Sequence, residues 1–315
     1  MARCDLIKLS LVPNTALAGV NVGISVSDSA DLGRLGLEQR HAELAIGELA
    51  RAILVAGGSM TYGGRIRPSG FTQQLMHEVR RYGESRHSLT ICLALPEHRK
   101  LSQTELNDLD RQLGTWGRLV YLDHDGRPID ARSEGGIPDN DNLDDSIRIA
   151  SYGGLRHYIA TQTQAQVLVG GQLAGFRGAM PGVIEEAIAA IQASHPVYFA
   201  GGFGGAAAAA AKVLAIDPFD WFPPDLPMTA DDPQVEASLK ALKRVAEDSR
   251  WDIFDNGLDE AQRGQLAASH RPGEIASLVV LGLARKFGGS SLDRRSSSHT
   301  AQPNIGNKKP TEEET

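Results

Sequence analysis

Only two cysteines occur in 315 residues, Cys4 and Cys92. They stand far apart and belong to no CxxC or Cys/His spacing, so neither a disulfide framework nor a zinc site is encoded. That usage fits a reducing compartment, and a cytoplasmic protein is expected. Long apolar runs are lacking too. The most apolar stretch, Pro196 to Ala211, is rich in glycine, stops at Lys212 and falls short of the roughly twenty residues that a membrane span needs. Asp5 and Lys8 interrupt the apolar N-terminus and no small-residue cleavage site follows, so no signal peptide is read. Nor is there an excess of positive charge: 32 basic residues against 39 acidic ones leave a formal net charge of -7. That balance excludes a general binder of duplex nucleic acid or of an anionic membrane, and any anionic ligand must be caught locally.

Several catalytic signatures are missing as well. No HExxH, no Gly-x-Ser-x-Gly elbow and no Gly-Lys-Ser/Thr phosphate loop occurs, which removes the zincin, serine hydrolase and ordinary ATPase readings. Gly201-Gly-Phe-Gly-Gly205 does not match the dinucleotide fingerprint, which occupies the first strand-to-helix turn. The nine histidines form no evident nucleophile partnership, and neither a metal nor an obligatory cofactor is expected.

What the chain does have is glycine, 34 residues of it, well above the usual share of about 7%. From Gly19 to Ala215 short β-rich runs alternate with longer amphipathic or alanine-rich segments, the pattern of a parallel sheet wrapped by helices. The runs predict strands at Val20–Val26, Ala52–Ala56, Ser88–Ala94, Arg118–Leu122, Gln166–Val169 and Pro196–Ala200. Helices are expected over Leu37–Leu49, Thr72–Tyr82, Gln103–Leu113, Asp144–Thr161, Gly182–Ala193 and Gly205–Leu214. The fold class is therefore α/β: a Rossmann-like open parallel sheet with helices on both faces and a C-terminal helical appendage. Asp123–Asn142, rich in Asp, Gly and Pro, reads as a long surface loop able to form a lid. The expected divisions are an N-terminal segment (1–18), the Rossmann-like sheet domain (19–216), the helical appendage (217–288) and a disordered tail (289–315).

Three of the expected strands run into double glycines: Gly57-Gly58, Gly170-Gly171 and Gly201-Gly202. At the carboxyl edge of a parallel sheet such turns let backbone N–H groups approach phosphate oxygens. The first cluster continues through Ser59, Thr61, Tyr62, Gly63 and Gly64 to Arg65 and Arg67, and the third through Phe203 and Gly204. Ser25 and Ser27 end the first strand, where their hydroxyls suit a ligand or a helix cap equally. Arg156 and Arg177 are the candidates for pairing with a phosphate. After Pro181-Gly182, Glu185 and Glu186 open a helix, positioned to favour its dipole, to contact ribose hydroxyls or to act in acid/base chemistry.

Together, Gly23-Ile-Ser-Val-Ser27, Leu54-Val-Ala-Gly-Gly-Ser-Met-Thr-Tyr-Gly-Gly64, Val167-Leu-Val-Gly-Gly171, Arg177-Gly-Ala-Met-Pro-Gly-Val-Ile-Glu-Glu186 and Gly201-Gly-Phe-Gly-Gly205 resemble the SLOG superfamily. That group unites Rossmann-like nucleotide-binding domains related to DNA-processing protein A and the "lonely guy" phosphoribohydrolases. The resemblance covers about Gly19 to Ala215 and implies one of two jobs. Some members hydrolyse the N-glycosidic bond of a nucleoside 5′-monophosphate, using a compact Pro-Gly-Gly-x-Gly-Thr-x-x-Glu signature and an upstream arginine. Others resemble receptors for signalling nucleotides, including NAD-derived products, in prokaryotic stress and antiviral systems. Gly170 and Gly171 match the signature's first glycines, Glu185 or Glu186 its glutamate and Arg156 its arginine. The compact Gly-Thr is absent and Gln172 to Met180 is inserted, a change that binding survives more easily than catalysis. The leading expectation is a sensor for a small phosphorylated nucleotide or ADP-ribose-like ligand. It would work as a homo-oligomer or through an effector or signal-producing partner; the alternative is a phosphoribohydrolase whose catalytic candidates are Glu185, Glu186 and Arg156.

Overall fold

A computed structural model describes residues 14–64, 66, 70–83, 87–130, 143–223, 225–227 and 232–288. Cys4, Arg65, Arg67, most of the expected lid and the expected tail lie outside the described residues. The strands are β1 (Asn21–Ser27), β2 (Ser59–Gly63), β3 (Leu89–Leu93), β4 (Gly117–Leu122), β5 (Pro128–Ile129), β6 (Ala165–Gly170) and β7 (Val197–Ala200). They form one sheet in the order β5-β4-β3-β2-β1-β6-β7, parallel throughout except for β5, which pairs antiparallel with β4. The chain is an α/β protein of the Rossmann-like type. Because β1 pairs with β2 on one side and with β6 on the other, the strand order reverses beside it. β1 and β6 stay paired to their last residues, Ser27 and Gly170, and the connections that leave them part toward helices on opposite faces, the usual place for a crevice in an open α/β sheet.

Helices α1 (Gln39–Val55), α2 (Phe71–Tyr82) and α4 (Gln103–Leu113) cover one face, and α5 (Asp145–Gln162), α6 (Gly182–Gln192) and α7 (Gly205–Val213) cover the other. A single turn, α3 (Leu95–His98), follows β3. Local sequence sets several of these ends. Ser102 accepts from the Glu105 N–H while the Glu105 carboxylate takes the Ser102 N–H, a reciprocal cap that starts α4 where its apolar spacing begins.

Ala52–Ala56 is not a strand. It is the last turn of α1, in which Leu49, Ala50, Ile53 and Leu54 fall on one buried face. A short apolar run looks the same in a buried strand and in a buried helix, and here the helical neighbours decide. Gly57 and Gly58 consequently form the turn that stops α1, donating to the carbonyls of Leu54 and Ile53 at 2.9 Å, with Gly57 in the left-handed region at φ 84°. The following strand is the hydroxyl-bearing Ser59–Gly63. Part of the expected surface loop is also ordered: Asp123 begins a tight turn that brings β5 back onto β4.

The remaining helices are α8 (Pro233–Glu247), α9 (Glu260–Ala268) and α10 (Pro272–Phe287). They complete the helical layers. α10 packs along α1 through Ile275, Val279 and Leu283, all fully buried and one turn apart, and each such side chain contributes about 1.5–3 kcal/mol of burial. α9 covers the end of β7, and α8 lies on α6 and α7.

Candidate functional site

The main cavity, about 480 Å³, opens at the carboxyl edge of the sheet beside β1. Four backbone segments build it. Ser25 to Asp28 form the floor, and Tyr62, Gly63 and Gly64 the end of β2. Gly70, Phe71 and Thr72 open α2, while Gly182 and Val183 open α6. Two helix N-termini thus face one space and present partial positive charge to it. Side chains from α1 (Gln39, Glu43), α3 (Glu97) and α5 (Tyr152, Leu155, Arg156) close the sides, and Gln172, Phe176 and Arg177 lie over it from the β6–α6 loop.

Arg156 is buried at 8% exposure, and its guanidinium pairs with Glu185 across a short contact. The sequence prepares this position: a Cβ on Gly178 or Gly182 would come within 2.5 or 2.8 Å of the guanidinium nitrogens. On its other side the guanidinium lies 5.7 Å from the centre of the Tyr152 ring. Tyr152 donates its hydroxyl proton to Glu97, and Arg177 Nη1 donates to Glu97 Oε1 at 2.6 Å and to the Tyr152 oxygen at 3.2 Å. The two guanidinium groups therefore flank one tyrosine, each held by a carboxylate.

Glu186 is the most perturbed acid of the cavity. Burial pushes its carboxyl up to about 7, against the pull of the Arg156 charge and a hydrogen bond from Ser25, with Glu185 adding to the upward shift. The amide of Gln166, buried in β6, donates to Glu186 Oε2 at 3.0 Å. Near neutral pH this group is divided between acid and carboxylate, so it can donate to or accept from a ligand.

The structure brings together Ser25, Ser27, Tyr62, Gly63, Gly64, Arg156, Arg177, Gly182 and Glu186 at this cavity. Glu185 reaches it through Arg156, and Pro181 caps α6, its carbonyl accepting from Ile184 and Glu185. The other expected contacts are elsewhere. Gly57, Gly58 and Ser59 sit at the amino end of β2, on the opposite edge, because the strand they were to follow is helix. Gly170 and Gly171 lie behind the cavity wall, where Gly171 donates to the Ser27 carbonyl and accepts from the Ala206 N–H, both at 3.0 Å. Gly201 and Gly202 are packed under α9, with the Ser269 carbonyl 2.2 Å from where a Gly202 Cβ would stand. Phe203 is fully buried. Gly204 lies against Asp31, whose buried carboxylate accepts from the Gly205 N–H at 2.6 Å. The start of α7, expected to meet a ligand phosphate, is capped by the protein's own anion.

Sequence reasoning missed Gln39, Glu43, Gly70, Phe71, Thr72, Glu97, Tyr152, Gln172 and Phe176. With β2 correctly bounded, Gly70 to Thr72 follow as the helix start after it. Glu97 and Tyr152 carry no local signal, since they meet across 55 residues of chain.

An open, mostly parallel sheet with a cavity of mixed polar and apolar lining where its strand order reverses defines a Rossmann-like α/β protein. The chain belongs to the SLOG family: it matches the SLOG cluster2 model over residues 16–266. Membership supports a nucleotide-related function. The match runs through α8 and into α9, beyond the boundary that the change of composition after Ile216 suggests. A comparison with curated proteins finds no match. Among the described residues no helix is long and apolar enough to cross a membrane.

Proposed function

We propose that this chain is a SLOG-type sensor that binds a nucleotide or an NAD-derived, ADP-ribose-like ligand in the switch-point cavity, in prokaryotic stress or antiviral signalling. One observation carries the reading: the N-termini of α2 and α6 open onto the same cavity, with buried Arg156 beside the α6 terminus. A phosphate group seats at α6, where helix N–H groups and the guanidinium add. Ser25 and Glu186 face the ribose hydroxyls, and Phe71 and Phe176 offer flat apolar surface to a base. The cavity lies within the size range of small-molecule sites. Occupancy is read out through an oligomer or an effector partner, to the extent that the ligand prefers one of two states. Thermal shift against AMP, ADP-ribose, NAD and cyclic nucleotides tests this: a ligand at 100 times its Kd stabilises by about 2.7 kcal/mol. Stabilisation by a panel member that is lost in Arg156→Gln supports the site, and a flat panel overturns it.

The second reading is a nucleoside 5′-monophosphate phosphoribohydrolase. It is favoured by the position of Glu186, pushed up to about 7 in the cavity that also holds Arg156. Release of free base from nucleoside monophosphates, abolished by Glu186→Gln, distinguishes it from binding alone.

A further inference from the structure

The connection from β6 to α6, residues 171–181, is longer than the roughly two to six residues usual for such turns, and it contains no regular structure. Its start is anchored: the Gln172 N–H donates to Ser27 Oγ at 3.3 Å and Leu173 is buried. Beyond Leu173 the loop runs outward. Ala174, Gly175 and Ala179 are exposed, and Gly175 turns in the left-handed region at φ 65° with no neighbour near its Cβ position. Phe176 and Arg177 face inward over the cavity.

We infer that this segment is a strap over the cavity, fastened by the ion pair of Arg177 with Glu97, and that release of that pair opens the site. The fastening ties the β6–α6 loop to α3 and α5, two elements that pack against each other, because Arg177 reaches both Glu97 of α3 and the Tyr152 hydroxyl of α5. The two partners differ in a way that suits a reversible catch. Glu97 is fixed, 10% exposed at its side chain, whereas Arg177 is 35% exposed and one step from water. When Arg177 leaves, Glu97 keeps the Tyr152 hydroxyl and Lys100, whose Nζ is 3.5 Å away, so opening strands no buried charge. Arg156 cannot take the same part, since it is buried, paired with Glu185 and enclosed by Gly178 and Gly182. The strap regulates the proposed ligand site but does not need a ligand to be demonstrated.

Trypsin cuts after an arginine whose side chain enters its specificity pocket, so the Arg177–Gly178 bond is cut only while the guanidinium is off Glu97. The rate of that one cut, followed by mass spectrometry on the full chain, reads the open population. Glu97→Gln and Glu97→Asp are each expected to raise it about tenfold, given the worth of a charge-assisted bond discounted for exposure. Arg177→Lys retains the trypsin site and the charge but loses the two-point grip, and it should also be cut faster. Should all three variants melt as the wild type does and be cut at its rate, the strap is refuted. ADP-ribose or AMP that slows the cut in Glu97→Gln supports a ligand taking over Arg177. Faster cutting that neither compound slows upholds the strap and counts against the nucleotide reading instead.

Discussion

Glu186→Gln exchanges a carboxyl that burial pushes up to about 7 for an amide of the same shape that does not titrate. Its carbonyl still accepts the Gln166 amide, so the change is mainly one of charge. In the unfolded chain the carboxyl returns toward its ordinary 4.5, and the folded state therefore holds the proton more tightly. Protonation stabilises the native chain: the contribution is complete below 4.5 and fades as pH rises through 7, above which the folded protein bears an ionised, poorly hydrated carboxylate. At 1.36 kcal/mol per pKa unit the full span is worth about 3 kcal/mol. Glu186 retains some exposure to the cavity, so roughly 1–3 kcal/mol is the realistic range. Urea denaturation of both proteins from pH 5 to pH 8.5 measures it. The glutamine variant should lie near wild type at the acid end and become the more stable of the two toward pH 8. A difference that does not change with pH, or one that grows toward acid, would refute the claim that the cavity holds Glu186 as an acid.

Arg156→Ala should cost about 2–4 kcal/mol in the same denaturation assay, because Glu185 loses its partner and the space between Gly178 and Gly182 empties. Asp31→Ala removes the carboxylate that accepts from the Gly205 N–H and should lower stability by about 1–3 kcal/mol, and a melting curve superimposable on wild type would deny α7 its internal anion. Gly202→Ala places a methyl 2.2 Å from the Ser269 carbonyl oxygen, backbone that cannot swing aside as a side chain can. It should destabilise by about 3 kcal/mol or more, with hydrogen exchange rising first in α9 and α10, and wild-type exchange there would show that this turn has room.

Most of the fold is legible because its elements announce themselves locally. α4 begins at a serine with a glutamate three residues on, and its expected span, Gln103–Leu113, is the observed one. β3, β6 and β7 are short apolar runs bounded by turn residues, and their spans shift by a residue or so. The failure at Ala52–Ala56 has a definite cause: periodicity cannot separate a buried strand from the last turn of a buried helix. That error carried Gly57, Gly58 and Ser59 into the expected site, while Gly70 to Thr72, which truly follow β2, were passed over.

The linear order of residues by itself determined the alternation of strands and helices, the parallel sheet, the family and the arginine and glutamates worth testing. These depend on patterns a few residues long. Only the tertiary structure decided which glycine turns face the cavity. One turn lies on the far edge, another is roofed by α9, and a third backs onto α7, whose N-terminus Asp31 already satisfies. The tie of Arg177 to Glu97 and Tyr152 was decided there too. Such pairings join residues far apart in the chain, and their geometry follows from the strand order and layer packing that bring them together.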